Sequence, residues 1–200
     1  MPMFRVSNYN ASQQEKSYTI DPLNKWTTAL RPPFLLMVHG YNNDIGDANQ
    51  KFLPVANQFD DYTRIGFYWE NSREYVVARH RAKKGATSLK TFLVKNFTPA
   101  EARQLTIVSH SMGCRVVLDC LTKLANDANA PILKPKNVIL WSAAVDDDEI
   151  VKGEAFYKGT QLPRRTWVMY SRRDEVLKKL YPIADQSFAL GWKGPDAIAQ

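Results

Sequence analysis

Apolar runs alternate with amphipathic stretches along most of the chain. That alternation predicts an α/β fold, a mostly parallel sheet with helices on both faces. Phe34-Leu35-Leu36-Met37-Val38 follows Pro32-Pro33 and ends shortly before Gly40, the form of a short strand buried on both sides. Residues 64–69 make a second run, with Gly66 inside it as a point of close packing. Further runs at 105–109, 136–142 and 165–171 predict three more strands, and 4–6 and 18–20 predict edge strands.

Between these runs the apolar period lengthens. Residues 47–61 carry Phe52, Val55, Ala56 and Phe59 at helical spacing. Residues 111–125 place Cys114, Val117, Leu118, Leu121 and Leu124 along one stripe. Residues 72–97 predict one long helix, or two broken near Gly85, with Arg79, Arg81, Lys83 and Lys84 on a solvated basic face. Residues 126–135 form a loop. No repeat, low-complexity tract or domain boundary separates these elements. The 200 residues therefore read as one domain.

Composition narrows the picture modestly. There are 27 basic against 20 acidic residues, a formal charge of +7. The charge fits a solvated basic surface, an anionic substrate or an anionic membrane surface; without a recognised nucleic-acid motif, no nucleic acid partner is expected. The first nine residues lack an apolar core, and the longest apolar run, 34–38, is too short to span a bilayer. The expected location is cytoplasmic. Cys114 and Cys120 fall on opposite faces of one helix and are not expected to pair. No metal-ligand spacing and no phosphate or dinucleotide loop occurs, so no metal or cofactor is implied.

The strongest chemical signal is Ser109-His110-Ser111-Met112-Gly113, set between a strand and a helix. A serine nucleophile on such a turn needs small residues two positions before and after it, because strand and helix pass close together there. Gly113 meets the second requirement, and Ser109 replaces the first glycine of G-x-S-x-G. The plainer alternative is an ordinary helix N-terminus capped by Ser109 or Ser111. His39-Gly40-Tyr41 closes the first buried strand, with His39 organising the loop and His110 packed beside Ser111.

The stretches 36–43, Gly66-Phe67-Tyr68-Trp69 and 109–113 resemble, in this order, the α/β-hydrolases. They look most like a lipase- and esterase-like branch of unassigned substrate that carries an HGYN loop. The resemblance spans roughly residues 34–180. It implies a sheet of about seven strands, a serine–histidine–acid triad and hydrolysis of an ester or related acyl bond of a small molecule. It also implies an oxyanion site made by the backbone N–H groups of Tyr41 and Met112, with Ser111 as nucleophile. The acid follows the strand that ends near Ser171, which selects Asp174. The cluster Asp146 to Asp148, after the preceding strand, is the alternative; its other reading is an acidic helix start leading into Glu149-Ile150.

The base does not fit the pattern. The chain has three histidines, His39, His80 and His110, and none follows Asp174. The last expected strand is missing with it, so the chain reads as shortened at its C-terminus. Two alternatives stand beside that reading. His80 could serve as the base, although it lies about 12 Å along a helix starting near Ser72, directed away from the strand ends. Otherwise the chain is a degenerate hydrolase fold that binds rather than cleaves. No long insertion follows the 136–142 strand, which predicts a shallow site without a large lid. Tyr41, Tyr68 and Trp69 are expected to border its entrance; core packing is the alternative for each, and for Trp69 an equal one.

Overall fold

The computed structural model describes residues 4–7, 19–20 and 30–196. Seven strands form one sheet: β1 (Phe4–Ser7), β2 (Thr19–Ile20), β3 (Phe34–Val38), β4 (Thr63–Tyr68), β5 (Leu105–His110), β6 (Asn137–Trp141) and β7 (Thr166–Met169). Their order is β2-β1-β4-β3-β5-β6-β7. β2 pairs antiparallel with β1, and every other pairing is parallel. The predicted strands are all present; Tyr18, in the predicted second strand, lies outside the described residues. Among the described residues no strand continues the sheet past β7, in keeping with a hydrolase-type sheet lacking its last strand.

The side chains of β3 alternate between two apolar layers. Leu36 and Val38 face one side with Ile65, Phe67 and Ile107. Leu35 and Met37 face the other with Tyr68 and Val108. The first side is covered by α2 (Tyr75–Asn96) and α4 (Met112–Ala125), which pack against each other. The second is covered by α1 (Ile45–Ala56), through Ala48, Phe52 and Ala56. The chain therefore leaves β3 toward one face and leaves β5 toward the other. In open α/β sheets such a divergence opens a crevice at the carboxyl ends of the two strands, where ligands bind.

α1 starts two residues before its predicted position because Asp44 and Asp47 cap it reciprocally, and it ends at Ala56 rather than 61. α2 is a single helix. Gly85 does not break it; a Cβ there would sit 3.0 Å from Trp69 Cβ, so the glycine lets the helix lie against the sheet. The same helix buries Ala78, Ala82 and Ala86, and further along Leu89, Phe92 and Leu93. A four-residue helix, α3 (Pro99–Ala102), leads into β5.

α1 does not reach the outer strands. Ile139 and Trp141 pair with Trp167 and Met169 across β6 and β7 on that face. Trp141 is 45% exposed, Trp167 52% and Met169 53%. On the opposite face α5 (Tyr157–Gln161) packs on α4. Beyond β7 come α6 (Glu175–Lys179), α7 (Tyr181–Asp185) and α8 (Leu190–Lys193). Among the described residues no helix is long and apolar enough to cross a membrane.

Candidate active site

β5 runs into α4 through one residue, Ser111, at φ 54° and ψ −125°. That conformation is sparsely populated for a residue with a side chain and costs about 1–3 kcal/mol. Three neighbours hold it. The Ser111 N–H donates to Trp141 O (3.0 Å), and Ser111 O accepts from the N–H groups of Cys114 (3.0 Å) and Ala144 (3.2 Å). The Ser111 side chain makes no cap hydrogen bond to α4, which sets aside its reading as a helix cap.

Small residues surround this turn because backbone passes against it. A Cβ on Gly113 would lie 2.3 Å from His39 O and 2.7 Å from Val38 O. A Cβ on Gly40 would lie 2.9 Å from Ser111 Cβ and 3.0 Å from His110 Nδ1. Ser109 is 1% exposed. Its hydroxyl contacts Ile139 O (3.2 Å) and Cys114 Sγ (3.3 Å), so it anchors β5 to β6 and to α4 instead of capping the helix. Met112 is the first residue of α4, and its N–H has no intrahelical acceptor. The Tyr41 hydroxyl donates to Arg73 O, and its ring meets Tyr75 edge-on at 5.7 Å.

Both ring nitrogens of His39 are engaged by backbone groups. The Trp69 N–H donates to Nε2 (3.1 Å), so Nδ1 carries the hydrogen and donates to Gly40 O (2.9 Å). The Trp69 indole N–H donates to His39 O (2.7 Å), and the two rings stack at 5.4 Å. Burial pushes the imidazole down to about 4, against the smaller opposing effect of its backbone bonds. Tyr68 and Trp69 do not border an entrance; both are fully buried, Trp69 beneath the His39 loop. Every residue of β4 is buried, Tyr68 included, and Trp69 follows directly after it.

His110 is half-buried, with its ring edge-on to Trp141 at 6.0 Å. Burial lowers its pKa, Lys51 adds to that, and Asp174 opposes it. Asp174 follows β7 and caps α6, accepting the Leu177 N–H at 3.0 Å. His80 is exposed on α2, in a groove it shares with Lys83, Asp119 and Lys123.

The Asp146 to Asp148 cluster does not start a helix; turns and bends follow it until α5. Asp146 accepts from the Tyr181 hydroxyl (2.7 Å), and buried Asp147 pairs with Lys193 (2.5 Å). Both fasten the C-terminal segment to the loop after β6, and Gly191 packs on Ser142 and Ala143 there. Sequence reasoning passed over the polar network beside them. Arg115, one turn into α4, grips Glu149 with two bonds (3.0 and 2.7 Å) and reaches the Tyr181 hydroxyl (3.3 Å). Tyr75 and Arg79 both donate to Asp185. The available signal was a spacing of four in Tyr75/Arg79 and in Tyr181/Asp185, which sets each pair on one helical face.

An apolar cavity of about 310 Å³ lies on the α1 side of the turn, bordered by Gly40, Phe52, Val55, Val108, His110 and Trp141. Among the described residues no cluster of His, Cys, Asp or Glu could hold a metal ion. Cys114 and Cys120 are buried free thiols, and burial raises the pKa of both.

A parallel sheet with a switch between β3 and β5, and a serine at the strained turn leaving β5, define the α/β-hydrolase class. Residues 9–195 match the family described as alpha/beta hydrolase of unknown function (DUF900), and the chain belongs to that family. No curated protein matches the chain significantly.

Proposed function

We propose that this protein is a serine hydrolase that cleaves a carboxylic ester or related acyl bond through an acyl-enzyme on Ser111. The observation that carries this reading is the Ser111 backbone. A residue with a side chain is held at φ 54°, against Gly40 and two residues before a Gly113 packed on the Val38–His39 backbone, with no cap bond from its side chain to the helix it begins. Strain of this kind survives where the surroundings over-determine it, as they do at nucleophile turns.

In the proposed reaction Ser111 Oγ attacks the acyl carbon and the hydroxyl proton passes to an imidazole that the α/β-hydrolase pattern places after Asp174, where the 200 residues hold no histidine. The carbonyl oxygen gains the negative charge and is stabilised by the N–H groups of Tyr41 and Met112, helped by the N-terminal dipole of α4. Asp174 orients the imidazole and stabilises its charged form. Collapse expels the alcohol, which takes the proton, and water repeats the sequence on the acyl-enzyme. The cavity beside Gly40 and His110 suits a small or flexible acyl group. His39 is not the base, because both its ring nitrogens are committed.

The test is labelling by a serine-reactive phosphonate probe. Parent protein is expected to label, Ser111→Ala not at all, and Asp174→Asn at least about tenfold more slowly. Absence of labelling in the parent would sink the proposal. A second reading, a hydrolase fold that binds without turnover, draws on the histidines: His39 is committed and His80 faces outward on α2. It predicts ligand binding indifferent to Ser111→Ala.

A further inference from the structure

The segment that follows Asp174 has two unlike faces. Leu177, Tyr181, Asp185 and Ala189, four residues apart, point inward. Leu177 is 6% exposed, Tyr181 3% and Ala189 0%, and the Asp185 side chain is fully buried. Each polar member is tied down, Tyr181 by Asp146 and Arg115, and Asp185 by Tyr75 and Arg79. The outer face is apolar. Val176, Leu180 and Ile183 are 64%, 61% and 80% exposed, and Phe188 follows at 48%. Val76 is exposed on α2, next to the Tyr75 that binds Asp185.

Exposed cations flank this face. Arg172 and Arg173 precede it; Lys178 and Lys179 share a single carboxylate, Glu175. Four cations on the segment are thus set against Asp174 and Glu175, since Asp185 is buried on Arg79. The whole chain carries +7. Exposed aliphatic side chains between lysines and arginines suit a lipid surface, where the apolar groups enter the headgroup boundary and the cations meet anionic lipid. Protein interfaces instead deplete lysine and enrich aromatic residues at their centre.

We infer that the outer face of α6 and α7 docks the protein on an anionic lipid surface. The inward ties make that face rigid, so docking needs no refolding of the segment. Asp174 begins the segment, and in the proposed hydrolase reading it serves Ser111, so the docked face points to an ester dissolved in, or delivered from, the bilayer. That last step rests on the proposed hydrolase reading; the docking does not.

The experiment is vesicle flotation with the whole protein, using phosphatidylcholine vesicles with and without phosphatidylglycerol. Parent protein should float with the anionic vesicles and be released by salt. Leu180→Glu/Ile183→Glu should reduce the bound fraction about tenfold, with an unchanged circular dichroism spectrum because both sites are exposed. Ser111→Ala should float like the parent, so a failed hydrolase reading would leave this result intact. Lys178→Gln/Lys179→Gln should weaken binding and blunt its salt dependence. No flotation, or equal flotation of the Glu variant, overturns the inference. So does a dimer that the Glu substitutions dissociate without any vesicle binding, which would assign the face to a second copy.

Discussion

The Cα of Gly40 faces Ser111 so closely that a Cβ added to the glycine would lie 2.9 Å from Ser111 Cβ. The loop after β3 and the turn after β5 are therefore one packed unit. The other nearby atoms include the backbone oxygen of His110, at 3.0 Å, which cannot rotate away. In the proposed site, where the Tyr41 N–H serves the oxyanion, Gly40→Ala should shift that N–H away from the serine. Stability should fall by about 1–3 kcal/mol from overpacking, and probe labelling by at least about tenfold. Melting and labelling rates measured together check this; unchanged labelling would separate the loop from the chemistry.

Ser111→Gly should stabilise the protein while abolishing labelling. Relief of the strained backbone returns about 1–3 kcal/mol. The extra entropy of glycine in the unfolded chain costs about 0.5–1 kcal/mol. The first term wins, so the midpoint of urea unfolding should rise. A lower midpoint would mean that the bonds around Ser111 leave no strain to release.

Much of this arrangement was legible in the chain. β3, β5 and β6 announced themselves as compact apolar runs, and the pentapeptide 109–113 carried its own strand and helix. What the sequence concealed lies in contacts between distant residues. Gly85 leaves one helix or two open because local propensity counts only the cost of glycine; its partner, Trp69, comes from another element. Tyr68 reads as bordering an entrance, because a strand end carries no local sign of what is packed above it, whereas the buried Trp69 follows the core-packing alternative. The Arg115–Glu149 pair joins a helix to a loop 34 residues away, and no periodicity encodes that distance. Asp147 looked like part of an acidic helix start, yet its partner is Lys193, from the far end of the chain.

His39 should make stability depend on pH. Its folded pKa is about 4, below the ordinary imidazole value of 6.5. Between those values the unfolded chain holds a proton that the folded protein excludes, so stability rises with pH. The contribution is fully present above pH 6.5 and is lost as pH falls toward 4. The slope is about 1.4 kcal/mol per pH unit, for a total near 3 kcal/mol. His110 shifts in the same direction. The decisive comparison is therefore with His39→Gln, which keeps an acceptor for the Trp69 N–H. Urea unfolding across this range should show a shallower slope in the variant; parallel curves would refute the assignment.

Arg115 and Glu149 form a largely buried pair, with side-chain exposures of 9% and 18%. Arg115 also lies over the Phe156 ring at 5.5 Å and contacts the Tyr181 hydroxyl. Removing only the carboxylate, as in Glu149→Leu, leaves a guanidinium desolvated with a single weak acceptor. That should cost about 3–5 kcal/mol. Replacing both, as in Arg115→Met/Glu149→Leu, removes the stranded charge and keeps the apolar contact with Phe156. The double variant should therefore be more stable than Glu149→Leu alone. A double-mutant cycle by urea unfolding measures this directly. If the two substitutions add without coupling, the pair does not join α4 to the loop after β6, and the anchoring of Tyr181 through Arg115 fails with it.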